Sequence, residues 1–168
     1  MGKEIREIQK TVRGLEGLNY VEIRNVPMTV DAKFGNLIDA STVEQMERAV
    51  ATEMIIKRLP IRGMEVKFLR SIFALSQREF AEKLGLSHVS IFKWEKNKNR
   101  RLDVVNEIAV KVLAVGLLGL KIVASIDALV GQSEFPKRIV LDFESMASRR
   151  AGKTETNRRA PICLLKHI

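Results

Sequence analysis

The chain has 168 residues, a single cysteine and a formal net charge of +9. This length is enough for one or two small domains with a hydrophobic core, and one cysteine excludes an internal disulfide. The charge is unevenly spread: residues 57–101 carry 12 basic and 4 acidic side chains, whereas residues 1–56 and 102–144 are each net negative. Residues 145–168 are basic again. Concentrated positive charge of this kind favours a phosphate backbone as partner.

The sequence gives no indication of export or membrane insertion. Residues 1–10 are too highly charged for a signal peptide. The apolar run Val110–Ala124 is shorter than the roughly 20 residues of a membrane span, and Lys111 and Lys121 interrupt it. A lone cysteine also suits a reducing compartment. We therefore expect a cytoplasmic protein without a membrane partner.

No constellation of residues predicts catalysis. Paired carboxylates, a phosphate-binding loop and a metal-ligand cluster are all missing from the sequence pattern. Cys163 and His167 are a nucleophile and a base by residue type. They lie in a small, polar, basic segment with nothing to fix their geometry. We expect neither an enzyme nor a cofactor.

The N-terminal residues 1–59 are predicted to form a small α+β region. Leu18–Val30 contains apolar and polar residues in alternation, which is typical of a strand. The apolar spacing in Lys3–Val12 fits a helix or a strand, and we favour a strand paired with the next one. Ser41–Leu59 is predicted to be a helix, in which Ser41 and Glu44 form a capping box.

Residues 60–131 contain the strongest pattern in the chain. Apolar residues at helical spacing predict a first helix from Met64 to Phe73. Ser76 precedes a second helix, and Glu79 three residues later completes a capping box. Gly85 is predicted to end that helix.

A third helix is predicted to follow after a short turn. Ser87 is its expected N-cap, and it extends from His88 to Lys96. Two short helices joined by a sharp turn, with Ala81 small enough for close approach, predict a helix-turn-helix.

The run SQREFAEKLGLSHVSIFKWE, from Ser76 to Glu95, resembles the XRE (Cro/C1-type) helix-turn-helix family. The resemblance covers residues 63–98 without a gap. One departure is Asn97-Lys98, where the family often has a glycine. The resemblance implies that the chain binds double-stranded DNA in a sequence-specific manner, as a transcriptional repressor that forms a homodimer.

The resemblance also implies a set of DNA-contacting residues. The third helix would face the major groove with Ser87, His88, Val89, Ser90 and Lys93. Gln77 occupies the position of the family's phosphate-contacting glutamine. The following basic loop supplies further candidate phosphate contacts, namely Lys96, Lys98, Arg100 and Arg101. The alternative is a solvated surface helix on a bundle that binds only protein.

The aromatic residues of this region are predicted to fill its core rather than to stack on bases. Their spacing on three short helices suits a small apolar core; they are Phe68, Phe73, Phe80, Phe92 and Trp94. Of these, burial in the core is predicted least strongly for Phe92, because it is close to the predicted DNA-facing edge.

Asp103 is predicted to cap a long helix. Its first apolar face consists of Val104, Val105, Ile108, Ala109, Val112 and Leu113, and beyond that the helix is apolar all round. A helix without a polar face must be buried. Because one chain of this size can bury only part of such a helix, we expect a partner chain to cover the rest.

A second resemblance covers residues 21–98. The run VPMTVDAKFGNLIDASTVEQME, from Val26 to Glu47, is similar to the N-terminal half of MqsA-type (YgiT-type) antitoxins, which place a zinc-binding domain before an XRE domain. Asp31 and Phe34 stand where two zinc-binding cysteines would be, so we expect no metal. Apolar packing around Phe34 would replace it. This resemblance implies an alternative function, an antitoxin that binds a toxin protein.

In residues 132–168, Arg138–Phe143 is predicted to be a short strand and residues 145–168 a basic flexible tail. Taken together, the patterns predict a mainly α fold, a helix-turn-helix bundle with only a small β-containing N-terminal region.

Overall fold

The computed structural model describes residues 6–121, 125–132 and 134–146. They divide into two compact units. Of the described residues, the first unit contains 6–15, 19–50 and 137–146, and the second contains the rest. Of the predicted tail, residues 145–168, only Ser145 and Met146 are described, and Cys163 and His167 lie outside the described residues.

A four-stranded sheet forms the first unit. Its strands are β1 (Arg6–Arg13), β2 (Val21–Asp31), β3 (Gly35–Leu37) and β4 (Ile139–Asp142). The long β2 pairs antiparallel with β1 along one edge. Its other edge pairs antiparallel with β3 near Val30 and parallel with β4 near Glu22.

The prediction of a mainly α bundle with a small N-terminal β region is wrong. The described residues are 49% helical and 20% strand, and the sheet is mixed. Each predicted strand is confirmed, but the sequence pattern did not predict β3 or the pairing between β4 and β2. Parallel strands are joined by a long connection rather than by a short hairpin turn, so the sequence contains no turn motif that would indicate this pairing.

Alternation along the strands divides the sheet into two faces. Val21 and Ile23 of β2 are buried, as are their register partners Ile139 and Leu141 of β4. On the opposite face Glu22 is 4% exposed. Its carboxylate pairs with three arginines at 3.0 to 3.6 Å, Arg13, Arg24 and Arg138. The hydrogen bond from Arg24 is the main cause that lowers the pKa of Glu22.

The first helix, α1 (Ala40–Ile56), begins earlier than predicted. The prediction of a capping box at Ser41 and Glu44 is wrong, because Asp39 caps the helix. The Asp39 carboxylate accepts the Thr42 backbone N–H at 2.9 Å and the Ser41 hydroxyl at 2.6 Å. These bonds, with the Ser41 hydroxyl first, lower the pKa of Asp39 to about 2.

Four helices form most of the second unit: α2 (Gly63–Ile72), α3 (Gln77–Leu84), α4 (His88–Lys96) and α5 (Val104–Leu118). A short 3₁₀ helix, Ile126–Leu129, follows. The predicted caps are confirmed: Ser76 and Glu79 form a capping box, Ser87 and Asp103 cap their helices, and Gly85 is left-handed with φ 68°. None of the described helices is long and apolar enough to cross a bilayer.

A continuous set of apolar side chains fills this unit. Among the most deeply buried are Met54, Ile61, Val66, Phe68, Leu69, Phe80, Ala81, Ile91, Val110 and Ala114. Phe68 and Phe80 are buried as predicted, whereas Phe73 and Trp94 are only half-buried.

An ion-paired carboxylate lies inside the same unit. Glu107 of α5 is 1% exposed and Lys111, one turn later, is fully buried. The Lys111 ammonium donates to Glu107 at 2.9 Å, and Arg101 Nε donates to it at 3.0 Å. Burial opposes ionisation of Glu107, but these hydrogen bonds outweigh it and its pKa lies below the usual value. Burial is the main cause that lowers the pKa of Lys111.

The same carboxylate also binds backbone from two distant loops. It accepts the N–H of Ile61, just before α2, at 3.2 Å and the N–H of Gly131 at 2.6 Å. Lys111 in turn donates to the carbonyl of Leu129 at 2.9 Å. A side chain at Gly131 would overlap the Glu107 carboxylate. Glu107 therefore fixes both loops against α5.

Replacing Glu107 by alanine is expected to lower the free energy of unfolding by about 3–5 kcal/mol, since it leaves buried Lys111 without its counter-ion and the N–H groups of Ile61 and Gly131 without their acceptor. Glu82→Ala is the matched control. Glu82 is exposed and pairs with Arg78 at 2.9 Å, so its loss should cost no more than about 1 kcal/mol. Urea unfolding of both variants measures the difference, and equal small losses would contradict the role given to Glu107.

Candidate nucleic-acid interface

The turn between α3 and α4 contains only three residues, Gly85 to Ser87. Gly85 adopts the left-handed conformation that ends α3, and the Leu86 N–H returns to the Ala81 carbonyl at 2.9 Å. The Ser87 hydroxyl accepts the Ser90 N–H at 3.3 Å and so starts α4. Local bonds at both ends of the turn thus fix the direction in which α4 leaves α3.

One side of α4 packs into the unit and the other faces solvent. Ile91 and Glu95, four residues apart, are buried. Ser90 and Trp94 are half-buried. The solvent-facing residues are His88, Val89, Phe92, Lys93 and Lys96. The exposed side of α4 has no acidic residue.

Glu95 attaches α4 to the two preceding helices. Its carboxylate accepts from Arg70 of α2 at 2.6 and 3.1 Å, and from the Gln77 side-chain amide of α3 at 2.8 Å. Arg70 also donates to the Leu75 carbonyl at 2.8 Å. The Gln77 amide nitrogen therefore has a partner inside the protein. Through Glu95 it helps to orient α4.

The basic loop after α4 has a fixed backbone and exposed side chains. The first N–H groups of α2 donate to this loop, Gly63 to the Arg100 carbonyl at 3.3 Å and Met64 to the Lys98 carbonyl at 3.0 Å. A Cβ on Gly63 would overlap the Trp94 carbonyl, so only glycine permits this approach. Within the described part of the chain, no carboxylate pairs with Lys96, Lys98 or Arg100.

Arg101 differs from its basic neighbours. Its guanidinium donates to Glu107 and to the carbonyls of Gly131, at 3.2 Å, and Gln132, at 3.0 Å. The side chain is 35% exposed. All the guanidinium nitrogens thus have internal partners, so Arg101 holds the loop in place and is not one of the proposed phosphate contacts.

Phe92 was predicted to lie in the core, and that prediction is wrong. Its side chain is 51% exposed, and Val89, one turn earlier, is 44% exposed. Because Ile91 and Glu95 define the buried side of α4, Phe92 falls on the solvent side with Lys93. Val89 and Phe92 are three residues apart, and this spacing in the sequence indicates that both side chains lie on the same side of α4.

The outer face of α5 is apolar, and no other part of the described residues covers it. Val104, Val105 and Val112 are 50%, 76% and 49% exposed. The two long charged side chains of this helix, Glu107 and Lys111, point inward instead. A shallow groove runs beside this face, lined by Lys83, Leu84, Ala109, Val112, Leu113, Gly116 and Leu117.

The region that resembles the antitoxins has no apolar core around Phe34, so that expectation is wrong. Phe34 is 65% exposed at the tip of the β2–β3 hairpin, where the Lys33 ammonium lies 5.1 Å from its ring centre. The Asp31 carboxylate accepts the N–H groups of Lys33 and Phe34 at 2.7 and 3.0 Å and closes the turn. Among the described residues, no cluster of three or more His, Cys, Asp or Glu side chains could hold a metal.

In comparisons with known proteins, no family model, no curated protein and no solved structure matches the chain.

Proposed function

We propose that the chain is a sequence-specific DNA-binding transcriptional regulator that acts as a homodimeric repressor in the cytoplasm. The observation that carries this proposal is the exposed side of α4, which lacks acidic residues and continues into a basic loop with a fixed backbone. In this proposal α4 enters the major groove. Lys96, Lys98 and Arg100 contact phosphates, and the free N–H groups at the start of α3 offer another phosphate site.

The arrangement of charges supports a nucleic-acid partner. Three of the four acidic residues in 57–101 form ion pairs within the chain. Glu65 pairs with Arg62 and Glu95 with Arg70 through buried carboxylates, whereas Glu82 pairs with Arg78 on the surface. The fourth, Glu79, caps α3. What remains unneutralised is basic and exposed, including Lys93, Lys96, Lys98 and Arg100. Such a positive field attracts a polyanion such as the DNA backbone.

The outer face of α5 supports the dimer. Its exposed valines form an apolar surface to which α5 contributes no charged side chain, because Glu107 and Lys111 point inward. A surface without charge can face an identical copy of itself without repulsion, as a two-fold interface requires. Gly116 also suits such an interface, because the space beside its Cα, where a side chain would lie, is open. We propose that this face joins two copies of the chain and so positions two α4 helices on one duplex.

A second candidate function is toxin neutralisation, which is compatible with DNA binding. It is favoured by the β2–β3 hairpin, which exposes Phe34 by 65% and Leu37 by 43%. Exposed apolar residues at a hairpin tip are available to a protein partner. The net negative charge of residues 1–56 would suit a basic toxin.

Lys93→Ala and Arg100→Ala are expected to affect DNA binding differently. Loss of Lys93 should reduce discrimination between the selected and a scrambled duplex by about 1–3 kcal/mol, because it removes a base contact. Loss of Arg100 should weaken binding to both duplexes alike and lower the salt slope by about one unit. Fluorescence anisotropy over a salt series measures both effects, and identical behaviour of the two variants would refute the assignment.

Val112→Asp is expected to convert the protein from dimer to monomer, because the new carboxylate would be buried at the proposed interface. The position is half-exposed within one chain, so each protomer should still fold. Val140→Asp, on β4 and 39% exposed, is the matched control and should stay dimeric. Sedimentation equilibrium measures the mass. A monomeric parent protein, or a dimeric Val112→Asp variant, would contradict the proposal.

Phe34→Asp tests the antitoxin candidate. If the gene beside this one encodes a small basic toxin, co-expression of the unmodified chain should restore growth, and Phe34→Asp should fail to do so while still binding DNA. Val89→Asp should give the converse, rescue without DNA binding. If the unmodified chain does not restore growth, the candidate is withdrawn.

A further inference from the structure

We propose that Val89 and Phe92 make the DNA interface selective for thymine, by contact with thymine methyl groups in the major groove. This inference rests on the proposed function, because it assigns a base preference to the same helix. It concerns two residues whose exposed apolar side chains the phosphate contacts do not explain.

The two side chains form one patch on α4. They are three residues apart, which places them on the same side of the helix and about 4.5 Å apart along its axis. Both are exposed, Phe92 by 51% and Val89 by 44%. The separation is close to the 3.4 Å rise of one base pair, so the patch can contact neighbouring base pairs.

The charges around this patch identify DNA as its occupant. Lys93 follows Phe92 directly, and Lys96 lies one turn further along the same exposed side. No acidic residue of α4 is exposed, since Glu95 is buried against Arg70. An apolar patch bordered by lysines is complementary to a groove whose floor carries apolar groups and whose walls carry phosphates.

Among the four bases, only thymine presents an apolar group on its major-groove edge. The other edges present donors or acceptors, which would lose water against a phenyl ring without gaining a partner. Val89 and Phe92 therefore favour thymine and disfavour the rest. Lys93 is exposed beside the patch and remains available for hydrogen bonds to adjacent bases.

The test uses the full-length chain and a duplex selected from a random library. Each thymine of the recovered half-site is replaced in turn by deoxyuridine, which removes the methyl group and keeps every hydrogen bond. The parent protein should lose about fourfold in affinity for each contacted methyl. Phe92→Ala should bind the thymine and uracil duplexes equally at the position that Phe92 contacts, and Val89→Ala should do so at a neighbouring one.

Val140→Ala is the control, since it truncates a half-exposed apolar residue outside the second unit and should keep the full thymine preference. If the parent protein binds its duplex but ignores every uracil replacement, this inference is overturned and the proposed function stands. If Phe92→Ala and Val89→Ala both keep the preference, the assignment to these residues is wrong. If no duplex is enriched, the patch belongs to a protein contact and both proposals are overturned.

Discussion

The second unit depends on one buried carboxylate. Glu107 binds Lys111 and Arg101, and it also accepts backbone N–H groups from Ile61 and Gly131. Burying these charges gains little net stability, but breaking such a group after burial is costly. The consequence is specificity of arrangement: the segment before α2, the end of the basic loop and the loop after the 3₁₀ helix all have fixed positions relative to α5.

Two sets of contacts connect Glu107 to the proposed DNA-binding surface. Arg101 ends the basic loop and is bound to Glu107, while Ile61 leads into α2, whose first N–H groups bind the carbonyls of Lys98 and Arg100. The basic side chains are therefore presented from a backbone held at both ends. A preorganised loop loses less conformational entropy when it contacts phosphates than a flexible one. The same logic applies to α4, which Glu95 joins to Arg70 and Gln77.

The features that the sequence predicted correctly are determined by a few neighbouring residues. Ser76 with Glu79, Gly85 and Asp103 each act within one turn, so a single sequence is enough to place them. The prediction of where α1 starts was wrong for a related reason. Two good caps stood close together, and Asp39 offered a carboxylate that both Ser41 and Thr42 could bind.

The features that the sequence did not predict depend on distant partners. Glu107 binds N–H groups 46 and 24 residues away, so nothing near it indicated that α5 buries its charged residues and exposes its valines. The pairing of β4 with β2 also joins segments that are distant in sequence. Hydrophobicity alone predicts burial of Phe92, but the positions of Ile91 and Glu95 decide which side of α4 faces inward, and Phe92 lies on the other side.

The most direct test of the central claim is a structure of the full-length chain bound to a selected duplex. The account predicts that α4 of each protomer lies in the major groove and that the two helices are about 34 Å apart, one turn of DNA. The outer faces of the two α5 helices should meet between them. A complex in which α4 faces solvent, or in which DNA contacts the sheet unit instead, would contradict the account.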